Sequence, residues 1–161
     1  MRGTSVVMIV VALAFGAAVD WASPALAEDC TYHKFTGPTS LMEEPLPGYD
    51  VCYQGRVRGT LNGQLFSCFY VADFWASDWL WGDGNYDYFV SREFDLLETS
   101  KGTIEFVGRA VYDIPAELAT GLYLVTGGTG DYEGATGKMQ FYNKYPNRLD
   151  LFVYEGRICT P

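Results

Sequence analysis

Thr126-Gly127-Gly128-Thr129-Gly130-Asp131-Tyr132-Glu133-Gly134-Ala135-Thr136-Gly137 stands between two strand-like runs. Its five glycines mark a backbone that repeatedly needs positive φ or a close approach that a Cβ would block. Tyr132 and Ala135 need cover, so the stretch does not read as a flexible linker. Consecutive glycine amides can also converge on an anion. Against that use, residues 138–145 alternate like a strand instead of opening a helix, and no Gly-Lys-Ser/Thr follows. The stretch therefore reads as a tight corner that joins one β-strand to the next.

Working outward from the corner, the remaining runs also have period two. Residues 49–60 set Tyr49, Val51, Tyr53 and Val57 against Asp50, Gln54, Arg56 and Arg58, the pattern of a half-buried strand. Asn62-Gly63 follows, a type I′ hairpin signal, and sends 64–75 back antiparallel. With Leu61 opposite Gln64, Val57 faces Cys68, and Phe66, Cys68, Tyr70, Ala72 and Phe74 share the face of Tyr53. In 86–99, Tyr88, Val90, Arg92, Phe94 and Leu96 alternate with Asp87, Phe89, Ser91, Glu93 and Asp95, and the acidic side is expected in solvent. A turn at Ser100-Lys101-Gly102 leads to an inward face of Ile104, Phe106, Gly108, Ala110 and Tyr112. Strands over 119–126, 138–145 and 148–159 complete the count. Short, evenly spaced antiparallel strands predict an all-β barrel or sandwich. Glycines within strands, such as Gly55, Gly59, Gly108 and Gly156, favour the closed barrel, where they relieve curvature.

The ends of the chain and its composition set the compartment. Arg2, an apolar run from Val6 to Ala18 and Ala25-Leu26-Ala27 read as a secretory signal peptide over 1–27, cleaved after Ala27. The apolar run is shorter than a membrane span of about 20 residues. The expected organisation is signal peptide 1–27, an N-terminal strap 28–47 with Pro38, Pro45 and Pro47, and a barrel domain 48–161, secreted or periplasmic without membrane insertion. Arg2 and Asp20 cancel, so the exported part keeps the net charge of −9, which disfavours nucleic acid as a partner. A homo-oligomer is compatible with this organisation. Cys30, Cys52, Cys68 and Cys159 in an oxidising compartment imply two disulfides, with three connectivities open.

The corner 127–137 resembles the Gly-Gly-Thr/Ser-Gly-x-aromatic-x-Gly-Ala-x-Gly segment of allene oxide cyclases, of dirigent proteins in a looser form, and of exported bacterial proteins described as allene-oxide-cyclase barrel-like. The order around it matches as well: a strand ending Leu122-Tyr123-Leu124-Val125, the glycine segment, a strand, a turn, and a last strand ending Tyr154-Glu155-Gly156. The resemblance implies a closed antiparallel eight-stranded β-barrel of the calycin-like kind over roughly 48–159. It implies cofactor-free cyclase or isomerase activity by analogy alone, since no residue matching the cyclases' polar site can be placed and no catalytic residue is carried over. In such a barrel the first and last strands are neighbours, which suggests Cys52–Cys159 and leaves Cys30–Cys68.

A barrel of eight strands either fills with side chains or holds one small ligand. The inward face as read carries Tyr53, Tyr70, Tyr88 and Tyr112 with Phe66, Phe74, Phe94 and Phe106: a packed aromatic core, or a pocket for a small apolar molecule oriented by hydroxyls. Arg92 on that face needs an anion, either Glu155 or a ligand carboxylate, whereas a register shifted by one residue places it in solvent. Trp75, Trp79 and Trp81, with Asp73, Asp78 and Asp83, form either a sugar-stacking platform for a carbohydrate-binding module or a lid packed on the barrel mouth. Residues 83–87 imitate a calcium loop, but Tyr88 takes the place of the required glycine and Phe94 that of the final carboxylate, so no metal or other cofactor is assigned. His33 reads as a surface residue, and paired carboxylates such as Glu93 and Asp95 read as a solvated face without a catalytic role. A non-covalent binding or scaffold role ranks ahead of the isomerase, and the isomerase ahead of the carbohydrate module.

Overall fold

The period-two runs pair antiparallel across each short turn, and the sheet they build curls until its ends meet. The computed structural model of the protein describes residues 29–70, 75–76, 88–113, 115–145, 148 and 150–161. Its strands are β1 (Asp29–Pro38), β2 (Ser40–Leu41), β3 (Val51–Gly59), β4 (Gly63–Phe69), β5 (Trp75–Ala76), β6 (Tyr88–Thr99), β7 (Gly102–Asp113), β8 (Leu118–Gly128), β9 (Thr136–Asn143) and β10 (Leu151–Thr160). Neighbours run β1-β10-β9-β8-β7-β6-β4-β3, and β3 pairs with β1 through Phe35–Gly59 and Thr36–Arg58, so eight strands close an all-β antiparallel barrel. The two-residue strands β2 and β5 add to β3 and β6. Among the described residues no helix is long and apolar enough to cross a membrane.

Part of the segment expected as a strap is itself a barrel strand. β1 pairs with β10 along its whole length, from Asp29–Thr160 to Pro38–Leu151, and supplies the buried Phe35 that stacks on Tyr154. The last strand therefore neighbours β1 and not β3, which corrects the expected disulfides. Cys30 bonds Cys159 and Cys52 bonds Cys68. Each pair sits directly opposite in its ladder, with Cα atoms 3.9 and 4.1 Å apart, within reach of a direct bridge. Disulfides of this kind form in non-reducing compartments.

The β3–β4 hairpin also departs from the expected register. Val57 faces Gly63 and Cys52 faces Cys68, because β3 leaves β4 after Val57 and its last residues turn to pair with β1. Neither Asn62 nor Gly63 has positive φ, so no type I′ turn forms. Asn62 instead accepts a hydrogen bond from the Gly59 amide at 3.3 Å. The shift turns Leu65, Ser67 and Phe69 inward. Phe66 and Cys68 move to the outer wall, and Tyr70 lies in an outer ring cluster with Tyr49 and Phe94.

The glycine corner closes one end of the barrel. After β8 the chain makes a single 3-10 turn, Gly130–Tyr132, and enters β9 at Thr136. Gly130 and Gly134 have φ of +62° and +71°, values that L side chains rarely adopt, and Tyr132 and Ala135 are buried beneath the turn. Leu65, Leu97, Ile104, Phe106, Val125, Met139 and Ile158 belong to the buried core, most of it packed toward this end.

Candidate functional site

The opposite end of the barrel is hollow. A cavity of about 410 Å³ opens there, and seven aromatic side chains line it: Tyr53, Phe69 and Phe89, then Tyr112, Phe141, Phe152 and Tyr154. Thr39, Ser40 and Leu41 form part of its rim together with Asp150. Arg148 holds Asp150 through two hydrogen bonds of 2.7 and 2.8 Å, and this pairing lowers the Asp150 carboxyl below its ordinary range.

Glu93 and Ser67 complete the lining, and β6 brings the first of them there. The β6–β7 ladder sets Glu93 opposite Gly108 and Asp95 opposite Phe106. Directly opposed residues of an antiparallel pair share a face, so the inward Phe106 carries Asp95, and with it Glu93 and Ser91, into the barrel. All three are buried, Glu93 to 1% and Asp95 to 2% exposure. This overturns the expectation of a solvated acidic face. Arg92 is accordingly exposed on the outer wall, its guanidinium 4.9 Å from the Phe94 ring centre, and does not reach the cavity. Glu155, its expected partner, instead pairs with Lys34 at 2.7 Å on the outside.

A carboxylate in such a place has to be satisfied by its neighbours. Four hydroxyls donate to Glu93: Ser91 at 2.5 Å and Tyr112 at 2.8 Å to Oε1, and Tyr123 and, at 3.4 Å, Ser67 to Oε2. Each carboxyl oxygen thus has two hydroxyl partners, which fills its acceptor positions. Tyr123 reaches it because its ring lies over Gly108, where a Cβ would collide with the ring. Asp95 takes a 2.8 Å hydrogen bond from Tyr154 on Oδ2, while its buried Oδ1 has no well-formed partner among the described residues. Burial, and after it the charge of Glu93, push the Asp95 carboxyl up to about 8; the nearby Ser67 and Tyr154 hydroxyls only temper the rise. Burial therefore favours the protonated form of Asp95. Burial first, and the two acids after it, raise the phenols of Tyr112, Tyr123 and Tyr154 well above their ordinary value, so they remain proton donors.

Of the candidates named from sequence, Tyr53 and Tyr112 meet in this cavity, whereas Tyr70 and Arg92 stand on the outer wall. Trp75 and Tyr88 lie on β5 and β6 without a described side chain, and Trp79 and Trp81 fall outside the described residues, as does most of the calcium-like loop. His33 is partly exposed and lies 3.3 Å from the Thr60 hydroxyl, away from the cavity lining. Among the described residues no group of histidine, cysteine, aspartate and glutamate is placed to hold a metal ion. Sequence reasoning missed Glu93, Asp95, Tyr123 and Tyr154 as a connected set. No protein-family model matches the chain, and no curated protein matches it.

Proposed function

We propose that this protein is an exported binding barrel that holds one small, largely apolar or aromatic molecule in the cavity of its open end. The observation that carries the reading is the cavity itself: about 410 Å³, walled by aromatic rings, with a hydroxyl-held carboxylate at its inner surface. Small-molecule sites commonly have this size and this mixture of apolar wall and few convergent polar groups. The sequence supports export through the signal-like 1–27 segment, and the two disulfides fit that compartment. Native mass spectrometry of the protein purified from its own host tests the reading. A retained mass of a few hundred daltons that is lost on unfolding is the expected result. Protein that emerges without such a mass, and that leaves the neutral dye Nile red unbound, would overturn it.

A second reading, a cofactor-free isomerase of the allene-oxide-cyclase type, draws on one specific feature. Two neighbouring carboxyls sit in different surroundings, Glu93 facing the cavity under its hydroxyl donors and Asp95 pushed toward its protonated form by burial, and such a contrast is what acid and base roles require. The resemblance of the 127–137 corner to that family points the same way.

A further inference from the structure

We propose that the molecule held in the cavity is a cationic amine: a protonated amino group on a flat aromatic or apolar body, its nitrogen at Glu93 and its body among the rings. The inference rests on the binding reading above and adds the charge of the ligand to it. Among the described residues, no lysine, arginine or histidine lines the cavity, and the ion pairs are Lys34–Glu155, Lys101–Asp131 and Arg148–Asp150. The rim arginine is thus already committed to Asp150, and Glu93 has hydroxyl donors but no counter-charge. A carboxylate buried without a cation is costly, and hydroxyl donors offset only part of that cost.

Each class of ligand meets this arrangement differently. An anionic head group would bring a like charge against Glu93 in a site of low dielectric. A neutral ligand would leave the carboxylate as it found it. An ammonium group supplies the missing charge and N–H donors together. Glu93 can accept it, because the Ser67 hydrogen bond is long at 3.4 Å and is the one of the four donors most easily displaced. The walls agree with the floor. Phe89 stacks on Tyr112 with centroids 4.4 Å apart, and Phe141 and Phe152 lie 4.7 Å apart, so ring faces surround the path to Glu93 and attract cations through their quadrupoles. The net charge of −9 adds a general field that concentrates cations at the surface.

Calorimetric titration with three probes of one shape tests this: tryptamine, its neutral alcohol analogue tryptophol, and the anion indole-3-propionate. Tryptamine is expected to bind at least about tenfold more tightly than tryptophol, a difference of about 1.4 kcal/mol, with the anion weakest. Glu93→Gln preserves side-chain size and should reduce the preference for the amine to below about twofold while tryptophol binding persists. Equal binding of amine and alcohol, or preference for the anion, would overturn the cationic assignment and leave the binding reading standing. Failure of all three probes also counts against the assignment, and if Nile red fails too the binding reading falls with it. Should Glu93→Gln fold poorly by circular dichroism, the ranking of the three probes on the unaltered protein decides alone.

Discussion

The two ends of the barrel interior are made of different materials. Toward the glycine corner, Leu97, Ile104, Val125, Met139 and Ile158 fill the space with apolar side chains, and the Cys30–Cys159 bridge staples β1 to β10. Toward the opposite mouth the same strands present Ser67, Ser91, Glu93, Tyr112 and an open cavity, with Asp95 and Tyr154 between the two zones. The contrast teaches where stability and function separate. One end is packed in the way a small domain needs to stay closed. The other buries two acids, an arrangement that apolar residues of similar volume would often improve, and such a cost is expected where a site has work to do.

Cutting the staple should give the largest effect. Cys30 and Cys159 are 129 residues apart, so in the chain-entropy account their bond removes about 5 kcal/mol of unfolded-state freedom, against about 3 for the 16-residue span of Cys52–Cys68. Denaturant midpoints of Cys30→Ser/Cys159→Ser and Cys52→Ser/Cys68→Ser should rank in that order. The reverse ranking would mean that the closed end does not hold the barrel together.

The polar zone should announce itself through pH. Burial pushes the Asp95 carboxyl up to about 8 in the folded chain from the 3.8 of a free aspartate, so between these values the folded state holds the extra proton. Its contribution to stability is therefore fully present below about pH 4 and is lost as pH rises toward 8, with a slope of up to about 1.4 kcal/mol per pH unit. Urea unfolding from pH 4 to 8 should show this decline. Asp95→Asn, which retains an acceptor for Tyr154, should flatten it. An unchanged slope in the variant would move the burden to another group.

Much of the barrel is legible in the sequence. The corner and the inward face of β7 follow from glycine placement and period-two alternation, and Ile104, Phe106 and Ala110 are all buried. Alternation and strand glycines favour a barrel over a sandwich, while its eight strands are what the resemblance of the corner implies. The face of β6 is not legible in the same way, because alternation cannot tell which of two mixed faces is wet and charge alone sends the acids to water. The hydroxyls that make their burial tolerable come from Tyr112, Tyr123 and Tyr154, 19, 30 and 59 residues from the acids they serve, beyond the reach of any local pattern. One signal did exist. With Thr99 opposite Gly102 across Ser100-Lys101, the correctly read Phe106 and Gly108 place Asp95 and Glu93 on the inner face. In β4 the hairpin signal at Asn62-Gly63 overrode the true register, because the pull of β1 on the end of β3 is a tertiary effect.

The smallest expected difference tests the boundary between the two zones most finely. Tyr112 and Tyr123 both donate to Glu93, yet Tyr123 is 1% exposed whereas Tyr112 is only partly covered and lines the cavity. Removing either hydroxyl leaves the same carboxylate short of a donor, and a hydrogen bond to a charged group is worth about 1.5–3 kcal/mol. Tyr123→Phe should cost that full amount, because water cannot reach the gap. At Tyr112 the ring remains stacked on Phe89 and a cavity water can donate in place of the lost hydroxyl, so Tyr112→Phe should cost less than about 1 kcal/mol. Equal losses in thermal or urea unfolding would show that the cavity is as dry at Glu93 as the packed end is, and the division between the two zones would then lie nearer the mouth than Tyr112.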